Sequence, residues 1–290
     1  MRLGLHALGI GAGARPEVVR AVAFGAEQHG FATLWSGEHV VMLDAQASRY
    51  PYSADGRIAV PADADWLDPL LTLTFAAAVT TRIQLATGVL LLPEHNPVVV
   101  AKQAATLDVL SGGRCTLGVG VGWSAEEFAA LGVPFAGRGR RTAEYVAALR
   151  TLWREDVSSF AGEFVRFDGI RVYPKPVARG VPVVVGGNSD AALRRVAAIG
   201  DGWYGFNVDA AAVPERLAVL AEACRSQGRS PDELSIAVAL GDPDPSYLPA
   251  LAEAGVTELV VVAAPPEDPA DVPEWVADLA REWAPPGPAC

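Results

Sequence analysis

Glu38-His39 is the first pair in the chain whose residue types suggest chemistry. A histidine titrates near neutrality and can give or take a proton at a reacting centre. Neighbours on a strand point to opposite faces, so one of the two faces a ligand; alternatively, the histidine merely anchors the loop that follows. Thr87-Gly88-Val89 is the second feature, where a strand pattern over Ile83–Thr87 runs into a loop ending at Pro97. A glycine there lets backbone approach a ligand closely, because it has no Cβ. Third, Gly186-Gly187-Asn188-Ser189 precedes a helix and offers free N–H groups to an anion such as a phosphate. A plain glycine turn capped by Asn188 or Ser189 is the other reading. Fourth, Arg138-Gly139-Arg140-Arg141 opens a helix, where cations oppose the macrodipole. These arginines hold either a bound anion or the carboxylates of Glu144 and Asp156. His6 and Trp123 are candidates to line the same site, whereas His95 reads as a solvated loop residue.

The bulk numbers exclude several classes. A net charge of −11 argues against a nucleic-acid partner, which needs a basic surface to displace counterions. No apolar run approaches the roughly 20 residues of a membrane span. The N-terminus enters a strand pattern directly, with no signal-peptide hydrophobic region, so the cytoplasm is the expected location. Cys115, Cys224 and Cys290 form no CxxC, and the four histidines form no HxH or HExxH, so no metal site is expected.

The elements that must position these residues alternate from end to end. Strand patterns cover Arg2–Leu8, Ala32–Ser36, Ile83–Leu92, Cys115–Val121, Val181–Val185, Gly202–Phe206, Leu234–Leu240 and Glu258–Val262. Helical patterns fall between them, and Pro16 sits at a favoured first position. Eight strand–helix units in about 250 residues predict an α/β fold, a (β/α)8 TIM barrel. The expected single domain covers 1–284. It carries a long loop, Val40–Asp65, after strand two and a hairpin turning at Asp168-Gly169 before strand five. A frayed tail follows at 285–290. The alternative, a doubly wound open sheet, lacks its fingerprint: Gly118-Val119-Gly120-Val121-Gly122-Trp123 has no GxxG spacing. In a barrel the chemistry sits at the C-terminal strand ends, which here offer the residues already singled out.

Several motifs carry a family resemblance. They are Ser36-Gly37-Glu38-His39, Thr87–Pro97, Gly113-Arg114 with Gly118–Trp123, and Arg138–Arg141. Tyr173-Pro174-Lys175-Pro176 and Gly186–Asn188 with Gly200-Asp201-Gly202 complete the set. In this order they resemble the luciferase-like monooxygenases, most closely the F420-dependent oxidoreductase subgroup. The resemblance is good to Phe206 and only a pattern beyond it. It implies hydride transfer between ring carbon C5 of coenzyme F420 and a small organic substrate, with His39 and Glu38 assisting proton transfer. It also implies a cofactor held by His6, Thr87, Gly88, Val89, Gly122, Trp123, Gly186, Gly187, Asn188 and Ser189. A cis Gly88-Val89 peptide would back the ring, and the polyglutamate tail is one candidate anion for the arginines. A homodimer is implied as well. Two alternatives share the fold: an FMN-dependent monooxygenase using reduced flavin and oxygen, and a non-catalytic flavin-binding barrel. Tyr50, Tyr52 and Trp66 suggest an aromatic lid over an apolar substrate, or simply a loop packed on the rim.

Overall fold

A computed structural model describes residues 1–283; the expected tail at 285–290, with Cys290, lies outside them. The strands are β1 (Arg2–Leu8), β2 (Thr33–Ser36), β3 (Gln84–Thr87), β4 (Cys115–Val119), β5 (Ser158–Ala161), β6 (Arg166–Ile170), β7 (Val183–Gly186), β8 (Gly202–Val208), β9 (Ser235–Leu240) and β10 (Glu258–Val262). Eight of them form a closed barrel in the order β1-β10-β9-β8-β7-β4-β3-β2, every neighbouring pair parallel. The expected (β/α)8 barrel is the observed one. Helices α1 (Pro16–Gln28), α2 (Pro69–Ala77), α3 (Pro97–Ser111), α4 (Ala125–Ala130), α5 (Arg138–Arg154), α6 (Asp190–Ile199), α7 (Val213–Ser226), α8 (Leu248–Glu253) and α9 (Val272–Glu282) complete the chain.

Local chemistry accounts for the element boundaries. Pro16, Pro69 and Pro97 each open a helix, where a missing N–H leaves no intrahelical bond unmade. Asp68 and Asn96 cap the two helices flanking β3 by accepting backbone N–H bonds at 2.8 and 2.9 Å. Strands such as Val183–Gly186 are buried along their whole length, because helices cover them outside and the barrel fills them inside. The inner layer is small: Trp35, Ala86, Val184, Tyr204, Ala237, Ala239 and Val260. Trp35 stacks on Tyr204 at 4.6 Å and donates from Nε1 to Glu258 Oε1 at 2.8 Å. The barrel is thus plugged beneath its C-terminal mouth.

Three expectations change. The hairpin is present as β5 and β6, but it turns at 162–165, with Ala161 opposite Arg166, rather than at Asp168-Gly169. The Glu144 carboxylate explains this by accepting the N–H groups of Glu163, Phe164 and Val165. Asp168 instead bonds Ser159 beside a register shift. Helix α4 was not anticipated, and β3 ends at Thr87 rather than Leu92. Among the described residues no helix is long and apolar enough to cross a membrane.

Candidate active site at the barrel mouth

A cavity of about 920 Å³ opens at the C-terminal ends of the strands. Its floor is Gly88-Val89, whose peptide bond is cis as the resemblance implied. Val89 nests among three glycines. A Cβ on Gly120 would lie 2.7 Å from Val89 Cγ2, and one on Gly186 would lie 2.9 Å from Val89 Cγ1. Gly120 and Gly186 therefore give the Val89 side chain its room, whereas Gly118 lies against the Thr87 carbonyl and Gly122 against the Phe128 ring and Glu94. Thr87 is the exception among the expected cofactor residues. It is fully buried, its hydroxyl donates to the Gly118 carbonyl at 2.7 Å, and it ties β3 to β4 away from the cavity.

The other eleven expected residues all line the cavity. His39 Nδ1 lies 2.8 Å from Glu127 Oε2. A carboxylate only accepts, so Nδ1 carries the shared proton and Nε2 is left for a ligand. Trp66 and Trp123 meet the imidazole edge-on, at 4.9 and 5.8 Å between ring centres. The Glu38 carboxylate accepts from Leu91 N at 2.6 Å and sits 3.0 Å from His95 Nε2. It holds the β3 loop while lining the same cavity as His39. His95 is accordingly no solvated loop residue. Burial lowers its proton affinity, but the Glu38 bond and charge, with Asp68 and Glu127 beyond, outweigh that and raise its pKa. His6 sits 3.2 Å from the Tyr204 hydroxyl, and burial lowers its pKa to about 4, so it is neutral at pH 7.

The candidate anion-binding residues line the same cavity. Ser189 caps α6 through its hydroxyl, which accepts from Ala192 N and keeps its own proton to donate. Asn188 donates to the Phe206 carbonyl at 2.7 Å while its Oδ1 is buried without a partner. The arginine cluster divides. Arg140 pairs with Glu163, and Arg141 bonds the carbonyls of Pro134 and Ala136. Glu144 and Asp156 are not their partners: Glu144 holds the hairpin turn and Asp156 pairs with Arg179. Arg138 alone turns to the cavity, where its Nε donates to the Gly122 carbonyl at 3.1 Å.

Sequence reasoning missed Arg195 on α6, which lines the cavity beside Arg138. Burial first, then the charge of Arg138, holds it below the usual guanidinium range, and its Nε has no partner. Neither Arg138 nor Arg195 forms an ion pair among the described residues. Two close guanidiniums without a carboxylate repel unless an anion joins them. Glu127 was also missed, although Ser124 three residues earlier is a helix-start signal: Ser124 Oγ accepts from Glu127 N. Over the cavity lies the 40–65 loop, where Tyr50 packs on Tyr52 and Trp123 at 5.4 and 5.2 Å. Tyr50, Tyr52 and Trp66 all line the cavity.

Orphaned buried polar atoms test whether these walls suit a ring-and-phosphate ligand. Trp123 Nε1, Asn188 Oδ1 and Arg195 Nε, all from cavity-lining residues, lack partners. Buried groups of this kind are normally bonded, so a polar ligand spanning them fits.

Comparisons with known proteins agree with that geometry. The luciferase-like monooxygenase family matches residues 3–241. An uncharacterised protein of Mycobacterium tuberculosis, Rv0953c, is 37% identical over 261 residues, covering 89% of this chain and 91% of that one. An FMNH2-dependent dimethylsulfone monooxygenase of Pseudomonas putida is 37% identical over 133 residues, 45% of this chain and 36% of that one. The coenzyme F420-dependent tetrahydromethanopterin reductase of Methanopyrus kandleri superposes with a TM-score of 0.76 over 98% of both chains, at 17% identity.

Proposed function

The chain belongs to the luciferase-like monooxygenase family, and within it we propose an F420-dependent oxidoreductase that moves a hydride between coenzyme F420 and a small organic substrate. The observation that carries the reading is one cavity lined together by Gly88-Val89, His39, Gly187 and the guanidiniums of Arg138 and Arg195, neither of them ion-paired among the described residues. His6, Val89 and Trp123 would hold the ring, and Gly186–Ser189 with the two guanidiniums would hold the phosphate. When bound, F420 supplies the hydride carrier. His39, with Nδ1 fixed by Glu127, accepts or returns the proton at Nε2. The Tyr50, Tyr52 and Trp66 lid excludes water from that exchange. The choice of F420 over FMN rests on the motif resemblance, since the fold is shared equally with an F420-dependent reductase and a monooxygenase.

The second reading, an FMN-dependent monooxygenase, has its own support in the Pseudomonas relative, whose name gives FMNH2 as cofactor. The remaining parts of the proposal are one barrel domain over 1–284, a cytoplasmic location and a homodimer. Anaerobic mixing with reduced F420 and a panel of small aldehydes and ketones tests the chemistry. Wild type should oxidise the cofactor with some member of the panel, and His39→Ala should be about 10²–10⁴-fold slower. Oxygen consumption dependent on reduced FMN, with no turnover of F420, would establish the second reading instead.

A further inference from the structure

Behind the cavity wall lies a carboxyl group that no step above uses. Glu94 belongs to the short turn Leu92–Glu94 after β3; it is 7% exposed, and both of its carboxyl oxygens are buried without a hydrogen-bond partner. Gly122 lies against it: a Cβ on Gly122 would lie 3.0 Å from Glu94 Oε1, and Gly122 itself lines the cavity. Two carboxylates already committed to histidines, Glu127 and Glu38, act on it by their charge. Glu38 serves His95 and Leu91 N, while Glu127 serves His39 and the N–H groups of Val40 and Val41.

We propose that Glu94 is a positioning residue, a buried neutral acid that keeps the neighbouring Glu127–His39 pair in the form able to take a proton from a ligand. An ionised carboxylate with no donor and no cation against it is among the costliest buried groups, so the proton stays. Burial first, then the charges of Glu127 and Glu38, push the Glu94 carboxyl up to about 9.

The surroundings offer no compensation. Helix α5, packed on the same turn, brings Arg138, Arg141 and Tyr145 to that side. Arg138 bonds the Gly122 carbonyl and Arg141 the carbonyls of Pro134 and Ala136. His95 is taken by Glu38, and Asp68 adds only further negative charge nearby. With Glu94 neutral, His39 meets the single negative carboxylate of Glu127. A negative Glu94 beside Glu127 would favour the imidazolium, with protons on both nitrogens and no base left.

The functional role rests on the oxidoreductase reading of the cavity, but the test does not need cofactor. Histidine ring signals are followed by NMR across pH, assigned with His39→Asn, alongside carboxyl signals of carbon-13 glutamate protein. Wild type should show one protonated glutamate at pH 7 that titrates near pH 9, and the His39 ring should shift in that same step. Glu94→Gln should abolish both the carboxyl signal and the His39 step. If Glu94→Gln does not fold, the shared midpoint in wild type still decides. The proposal is overturned if no glutamate is protonated at pH 7, or if His39 is indifferent to the step near pH 9. Loss of F420 and FMN binding alongside an intact coupled titration would count against the proposed function and leave this inference standing.

Discussion

Glu94 weakens the fold in a way that a neutral side chain would not, and the sign of its pH dependence is fixed by its surroundings. Its carboxyl titrates near 4.5 when exposed but near 9 in the folded chain. The folded state therefore holds a proton that the unfolded state gives up. Its contribution is intact below about pH 4.5 and is lost as pH rises towards 9. Glu94→Gln should unfold at higher denaturant concentration at pH 8, by about 1–3 kcal/mol, with the gain shrinking towards pH 4.5. Equilibrium urea unfolding at several pH values measures this, and a constant difference across the range would contradict it. His95 shows the opposite arrangement. Its raised pKa comes from Glu38, a partner brought from the far side of a loop. Nothing in Glu94-His95-Asn96 announces either fate, because both depend on where the loop folds back.

At the scale of elements, the strand–helix alternation made the barrel legible, since periodicity and helix-start residues are local properties. Most of the mouth was legible too: strand ends are set by the fold, so His6, Gly88, Trp123 and Gly187 followed from it. The hairpin turn was not, since Asp168-Gly169 has ordinary turn chemistry and the deciding contact is Glu144 on α5. Arg138 was flagged only as one of a cluster, and Arg195 not at all. Their meeting depends on α5 and α6 packing side by side. The glycines around Val89 offer an element-scale test. Gly186→Ala places a Cβ 2.9 Å from Val89 Cγ1 and must move the floor. The variant should fold and bind cofactor at least about 10-fold more weakly, as overpacking of about 1–3 kcal/mol would produce. Unchanged affinity by fluorescence titration would show that the Val89 floor does not touch the ligand.

For the whole molecule, the outer faces of α2 and α3 expose Leu71 (67%), Phe75, Val99 and Leu110 (63%) on two helices packed together. Apolar side chains grouped in this way suit an interface between copies. Light scattering should therefore give twice the 30.3 kDa chain mass, and a stable single-chain mass would refute the homodimer. The acidic chain, with net charge −11, also makes the paired guanidiniums at the mouth a local exception that an anionic cofactor would neutralise. The most direct measurement is equilibrium titration of the protein with F420 and with FMN, comparing wild type with Arg138→Ala and Arg195→Ala. The account predicts that wild type binds F420 more tightly than FMN. Each arginine variant should lose about 10–100-fold in affinity through its charge-assisted bonds, with weaker salt dependence. Tight FMN binding without affinity for F420, or F420 binding indifferent to both substitutions, would contradict it.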